Sequence, residues 1–264
     1  MNTEQARKSG HSRIARSARL WLARLRAVWL FLALAVIAGS AHAQLVPPPL
    51  TEYMGRQIAQ TMHYEGAPWL VRDTREREER CSLLLANLGV RPGMTVCDMG
   101  CGNGYYSLPL ARLVGPAGRV LAVDVQPQML KMLEAREAAA NINHIDTILG
   151  MPHDPKLPEA TLDLILLVDV YHEFSYPQQM LSALRRALKP DGLIALVEFR
   201  AEDPRVPIQP LHKMSKRQIL KEFPANGFEL VKEFDRLPWQ HLMFFGRDES
   251  FGQSSHHTPC DDQQ

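Results

Sequence analysis

The sequence predicts an α/β protein: a doubly wound, mostly parallel seven-stranded sheet with an antiparallel last strand. Three observations carry that expectation. From about residue 70 to residue 246, short apolar runs alternate with helix-like segments through short loops, the pattern of a parallel sheet covered by helices. The run Leu162–Val168 (LDLILLV) is apolar on both faces, as a central parallel strand requires. Only a short connection around Leu237-Pro238 joins the last two runs, and a parallel crossover needs a dozen residues or more.

Residues 1–43 read as an address rather than as part of the fold. They hold seven of the chain's 30 Lys+Arg (Arg7, Lys8, Arg13, Arg16, Arg19, Arg24, Arg26) and one of its 29 Asp+Glu, Glu4. An uncharged apolar run follows over residues 27–39, then Ser40-Ala41-His42-Ala43-Gln44. This is the basic, hydrophobic, A-x-A order of a secretory signal peptide. The run has 13 residues, whereas a spanning helix needs about 20. Cleavage after Ala43 is expected, which places the body in the periplasm or outside the cell; an uncleaved segment would anchor it to a membrane. The remainder holds 23 Lys+Arg against 28 Asp+Glu. That mildly acidic balance offers no electrostatic footprint for nucleic acid. With 45% hydrophobic and 22% charged residues the 264-residue chain is not disordered as a whole, and four cysteines in that length exclude a disulfide scaffold.

Residues 44–92 read as an N-terminal helical segment. Pro47-Pro48-Pro49 is a stiff extended linker. Asp73, with Glu76 three residues on, fits a capping box opening a helix that buries Leu84, Leu85 and Leu88 and ends at Gly89. Tyr64, Trp69, Arg72 and Arg75 are candidates for a lid over a site. Strands are expected at 94–98, 120–124, 145–149, 162–168, 193–197, 228–234 and 241–246, within a domain spanning 93–246. Helices are expected at 105–113, from Pro127 to about Ala140, from Pro177 to before Lys189, and at 215–223. Residues 247–264 are polar and aperiodic, and read as a disordered tail. His256, His257 and Cys260 there do not make a tetrahedral site, so no metal is expected.

The chemistry concentrates in Val96-Cys97-Asp98-Met99-Gly100-Cys101-Gly102-Asn103-Gly104. This Gly-rich loop lies between a strand and a helix, where backbone can approach a ligand closely. In a dinucleotide fingerprint, G-x-G-x-x-G, the third glycine would come one residue later. The acid Asp98 would also repel a pyrophosphate while suiting a cationic amino-acid end. Asp124 closes the second strand, where an acid accepts hydrogen bonds from ribose hydroxyls. The ligand implied has a ribose and a positive group, with no phosphate at the loop.

VCDMGCGNGYYSLPLA resembles motif I of the class I S-adenosylmethionine-dependent methyltransferases. Strand two ending in Asp124, and strand four followed by Asp169-Val170-Tyr171-His172-Glu173-Phe174, are similar to the same family over about residues 70–246. The resemblance implies a Rossmann-like methyltransferase fold with S-adenosyl-L-methionine as cofactor. It implies that Asp98, Gly100, Gly102 and Gly104 hold the methionine part, with Cys101 nearby. Asp124 would take the ribose, and Val125 and Gln126 would flank the adenine. The family often places an acid directly after the glycine that ends strand three; here Gly150 is followed by Met151, which makes Asp154 the substitute contact for the adenine amine. Asp169, His172 and Glu173 are the candidates for orienting or deprotonating an acceptor. No Asn/Asp-Pro-Pro-Tyr follows strand four, so the acceptor expected is a small molecule rather than a nucleic acid or a protein amine. An exported binder of the cofactor without transfer activity is the alternative. A nicotinamide-dependent oxidoreductase is opposed by the glycine spacing.

Overall fold

A computed structural model of the protein describes residues 46–252. The segment 1–43, read above as a signal peptide, and the residues beyond 252, with His256, His257 and Cys260, lie outside the described residues. The chain divides into units Met1–Pro47 and Pro48–Gln264, and the second carries the whole described fold.

Its seven-stranded sheet comprises β1 (Thr95–Met99), β2 (Arg119–Asp124), β3 (Ile145–Leu149), β4 (Leu162–Val168), β5 (Leu188–Phe199), β6 (Phe228–Phe234) and β7 (Gln240–Arg247). The spatial order is β3-β2-β1-β4-β5-β7-β6. The first five strands run parallel, with Asp98 beside Ala122 on one side and Leu166 on the other. β7 is antiparallel to both of its neighbours. This confirms the expected sheet. The strand order reverses between β1 and β4, so their carboxyl ends open a crevice, the usual ligand position in an open α/β sheet.

The α-helices of the described residues are α1 (Ala67–Leu70), α2 (Arg75–Glu79), α3 (Cys81–Asn87), α4 (Ser107–Val114), α5 (Pro127–Ala139), α6 (Pro177–Ala187) and α7 (Lys216–Glu222), and Glu52–Tyr53 pairs antiparallel with Arg56–Gln57 in a separate two-stranded sheet. Successive strand residues point to opposite faces. Val96, Ala122 and Leu166 therefore pack with Leu84 of α3, Leu110 of α4 and Leu133 of α5. Cys97, Val123 and Ile165 pack on the other face with Leu181 of α6 and Ile219 of α7. Both layers are closed to water, which is why β4 is apolar along almost its whole length.

Four details differ from the sequence reading. The helix expected from Asp73 to Gly89 is broken at Arg80, which sits at φ +52°. Thr74, not Asp73, stands at the cap of α2, and makes no side-chain cap bond. Glu76 instead reaches forward to the Ser82 N–H at 3.0 Å and to the Ser82 hydroxyl, closing the first turn of α3. β5 starts at Leu188 rather than 193 because Lys189-Pro190-Asp191-Gly192 is taken into the strand through a bulge, visible as a register shift between Leu162 and Leu164. The tail begins later than residue 247. The Asp248 N–H bonds the Gly227 carbonyl at 2.9 Å, and Arg185 donates to the carbonyls of Gly227 (3.0 Å) and Asp248 (2.6 Å). No helix of the described residues is long and apolar enough to cross a membrane.

Candidate active site

A cavity of about 710 Å³ opens at the carboxyl ends of β1, β2 and β4. That size lies within the range of small-molecule and cofactor sites. At one end it is walled by Gly100, Gly102, Asp124, Val125, Gln126 and Met129. At the other end stand Asp169, His172, Glu173 and His212. Residues 60–62, Trp69, Leu70, Arg75 and Glu79 cover it from the N-terminal segment.

The loop owes its shape to left-handed backbone. Gly100 has φ +72°, and a Cβ there would lie 2.4 Å from Val170 Cγ2. Gly102 has φ +52°, and its Cβ would meet Leu70 Cδ1 at 2.7 Å. Any side chain would combine backbone strain with collision. Gly104 (φ +79°) does not line the cavity, and its Cβ would strike Leu133 Cδ1 at 2.2 Å. It is therefore the glycine that lets α5 approach the loop.

Asp124 sits where a ribose acid is expected. Its Oδ2 accepts from the Gly102 N–H at 2.9 Å and its Oδ1 from the Gln126 N–H at 2.8 Å. A carboxylate has about four lone-pair positions, so both oxygens keep one for a ligand. Burial pushes its pKa up, and the backbone N–H bonds hold it back. Gln126 has been diverted. Its side-chain amide accepts from the Tyr64 N–H at 2.8 Å and donates to the Met62 carbonyl at 2.9 Å, pinning the N-terminal segment over the cavity. Val125 stays at the cavity wall as expected.

Three further expected site residues stand away from the cavity wall. Asp98 is buried, lies outside the cavity lining and accepts from Ser107 Oγ at 2.6 Å; burial pushes its pKa up to about 6. It ties the loop to the start of α4 rather than facing a ligand. Cys101 is buried behind the loop, its thiol 3.6 Å from the Gly102 carbonyl. Asp154 turns back to accept from the Lys156 N–H at 2.9 Å and is absent from the lining, where Met151 and Pro152 stand instead. The cavity wall is thus apolar at Met151 and Pro152. Of the four lid candidates, Trp69 and Arg75 line the cavity; Arg72 stacks on Trp69, 3.8 Å from its ring, and Tyr64 is held through its backbone.

The cavity wall formed by Asp169, His172, Glu173 and His212 is dense in ionisable groups. Asp169 follows β4 at φ +51°, a strained conformation for a residue with a side chain. Its Oδ2 accepts from Gln240 Nε2 at 2.7 Å, while its buried Oδ1 has no partner in the fold. Burial, with Glu79 and Glu198 nearby, pushes its pKa well up. His172 Nδ1 lies 2.6 Å from Glu198 Oε2, and its Nε2 lies 3.1 Å from His212 Nδ1. Burial works against a charged His172, but Glu198 outweighs it and the pKa is raised. Burial pushes Glu173 up to about 7, partly offset by His172 and the Met62 N–H. Glu198, His212, Glu79 and Gln240 were not foreseen. Glu198 left one trace, a lone acid in the apolar strand LIALVEF, since a buried charge requires a partner.

Fold and site together define a methyltransferase-type Rossmann domain. The family model described as "Methyltransferase domain" matches residues 96–192. The ubiquinone/menaquinone biosynthesis C-methyltransferase of Citrobacter koseri is 32% identical over 150 residues, covering 56% of this chain and 57% of that protein. The nocamycin O-methyltransferase of Saccharothrix syringae is 31% identical over 113 residues, covering 43% of this chain and 40% of that protein. The chain thus spans about half the length of these relatives. The crystal structure of a SAM-dependent methyltransferase from Aquifex aeolicus shares the fold with a TM-score of 0.66 at 23% identity, covering 70% of this chain and 98% of that one. Residues 96–192 are thus similar to a methyltransferase domain, and the cofactor such a domain implies is S-adenosylmethionine. Its site fits that cofactor, because Asp124 keeps free lone pairs beside a loop that only glycine can form, and Met129 and Met151 offer an apolar surface.

Proposed function

We propose that the protein transfers a methyl group from S-adenosylmethionine to a small molecule. The observation that carries this reading is that one cavity joins Asp124 and the glycine loop to Asp169, His172 and Glu173. When bound, the cofactor supplies an electrophilic methyl on a sulfonium whose departure needs no protonation. The protein's work is therefore alignment and exclusion of water. Asp124 holds the nucleoside end, the N-terminal segment covers it, and Asp169, His172 and Glu173 line the part of the cavity left for the acceptor. Trp69, Phe199 and Ile208 give the acceptor end apolar walls, which suits a compact acceptor with one polar group. We further propose that the body is exported, as the basic, apolar and A-x-A order of residues 1–43 supports. Release of S-adenosylhomocysteine, measured across a panel of small hydroxylated and amine acceptors, tests transfer. Binding of the cofactor with no release for any acceptor would favour the binding-only alternative. A mature protein starting at Gln44 tests export; a cytoplasmic chain that keeps Met1 would refute it.

A further inference from the structure

We propose that His172, Glu173 and His212 form a binding site for a divalent transition-metal ion at the acceptor end of the cavity. His172 Nε2 lies 3.1 Å from His212 Nδ1, and Glu173 Oε1 lies 4.0 Å from each of those nitrogens. Three ligands at about 2.1 Å from one ion stand roughly 3–3.5 Å apart, so a shift of the Glu173 carboxylate by about 0.5–1 Å completes the set. The ligands come from two separate elements, the turn Tyr171–Glu173 after β4 and the turn Pro210–His212 after β5. Both turns line the cavity, which leaves the remaining coordination positions facing it.

Two observations distinguish this set from a chance cluster. Glu198, fully buried on β5, holds His172 Nδ1 at 2.6 Å and so turns Nε2 toward Glu173 and His212. A carboxylate behind a ligating imidazole is the usual support of a metal-bound histidine. The Glu173 carboxylate is mostly buried, yet its partners are the Met62 N–H at 3.2 Å and the two imidazoles, with no lysine or arginine. Arg56, which reaches the His172 carbonyl, is committed to Glu222 at 2.7 Å. A dication supplies the charge this corner lacks. Two imidazoles and one carboxylate suit zinc, iron, cobalt, nickel or manganese rather than magnesium or calcium, which prefer all-oxygen sites. Binding of the ion stands on this geometry alone. Its role, to bind and polarise an oxygen or nitrogen of the acceptor, rests on the methyl-transfer reading.

The test is a titration of the chelator-treated, otherwise intact chain with Co²⁺, read by visible d–d absorption and by metal content. One Co²⁺ per chain is expected. His212→Ala should weaken binding at least about tenfold, because it removes one of three protein ligands, and Glu198→Gln about 10–100-fold, as for other supporting partners. His212 is partly exposed, so its variant should keep the parent's circular dichroism. A chain with His256 and His257 both replaced by Ala should bind as the parent does, which excludes the tail as the source. No stoichiometric Co²⁺ in the parent, or binding unmoved by His212→Ala, would overturn the site. S-adenosylmethionine calorimetry on the same samples separates the two readings: cofactor binding without metal removes only the metal site, and metal binding without cofactor removes the methyl-transfer reading.

Discussion

Asp124 shows how one side chain serves both fold and ligand. Each of its oxygens already accepts one backbone N–H, from Gly102 and Gln126. Asp124→Ala strands both donors in a buried place, at about 1–3 kcal/mol each. Chemical unfolding should therefore show a loss of about 2–4 kcal/mol, alongside a thirty- to thousandfold loss of S-adenosylmethionine affinity. Asp124→Asn should not rescue, because its amide would turn a donor toward one of those N–H groups. Unchanged stability in both variants would contradict the geometry. Asp98 gives a pH signature. Its folded pKa of about 6 stands above the ordinary 3.8, so the folded state favours the protonated acid. Its contribution is most favourable below about pH 4 and is lost as pH rises through 6, a swing of about 3 kcal/mol. Asp98→Asn keeps a neutral acceptor for Ser107, so its stability relative to the parent should rise over that window in urea titrations. A pH-independent difference would show that Asp98 does not titrate there.

At the scale of elements, the N-terminal segment is bolted to the site rather than loose above it. Ala59 and Met62 donate to the His172 carbonyl and the Glu173 carboxylate, and Gln126 clasps residues 62–64. Arg75 of α2 bonds Glu79 at 2.9 Å and the Leu70 carbonyl at 2.8 Å, and lies over the Tyr105 ring. Glu79 is almost fully buried and also takes Arg72 at 2.6 Å. Arg75→Met leaves that acid half-paired, and should cost about 3 kcal/mol. Adding Glu79→Leu should recover part of the loss, since two apolar residues avoid the uncompensated charge. A thermal-melt series of parent, single and double variants checks this, and a double variant less stable than the single would refute it.

At the scale of the whole molecule, the cofactor would bridge β1, β2 and the N-terminal cover, so binding should stabilise the fold as one unit. At a hundredfold excess over the dissociation constant, linkage gives about 2.7 kcal/mol. For a body of this length that corresponds to a rise of roughly 5–11 °C in Tm. S-adenosylhomocysteine should act alike, and NAD should leave the melt unmoved. A shift with NAD and none with S-adenosylmethionine would reverse the ligand assignment.

Seven strands, their mostly parallel run with an antiparallel last strand, and the loop were legible because each depends on local chemistry. A doubly buried strand needs a continuous apolar run such as Leu162–Val168, and a left-handed turn against neighbouring side chains needs glycine at Gly100 and Gly102. Asp124 was readable for the same reason, since it is the acid that closes a buried apolar run. What the sequence left undecided depends on distance in space. Gly104 is a packing glycine only because Leu133, 29 positions away, crosses it. Gln126 serves the cover rather than a ligand because Met62 and Tyr64 come to lie beside it. Glu198 and His212 stand 26 and 40 residues from His172, and the parallel pairing of β4 with β5 brings them within hydrogen-bond reach. No local propensity encodes that meeting. It follows from the sheet order, which sends the carboxyl ends of both strands, and the turns after them, to one end of the molecule.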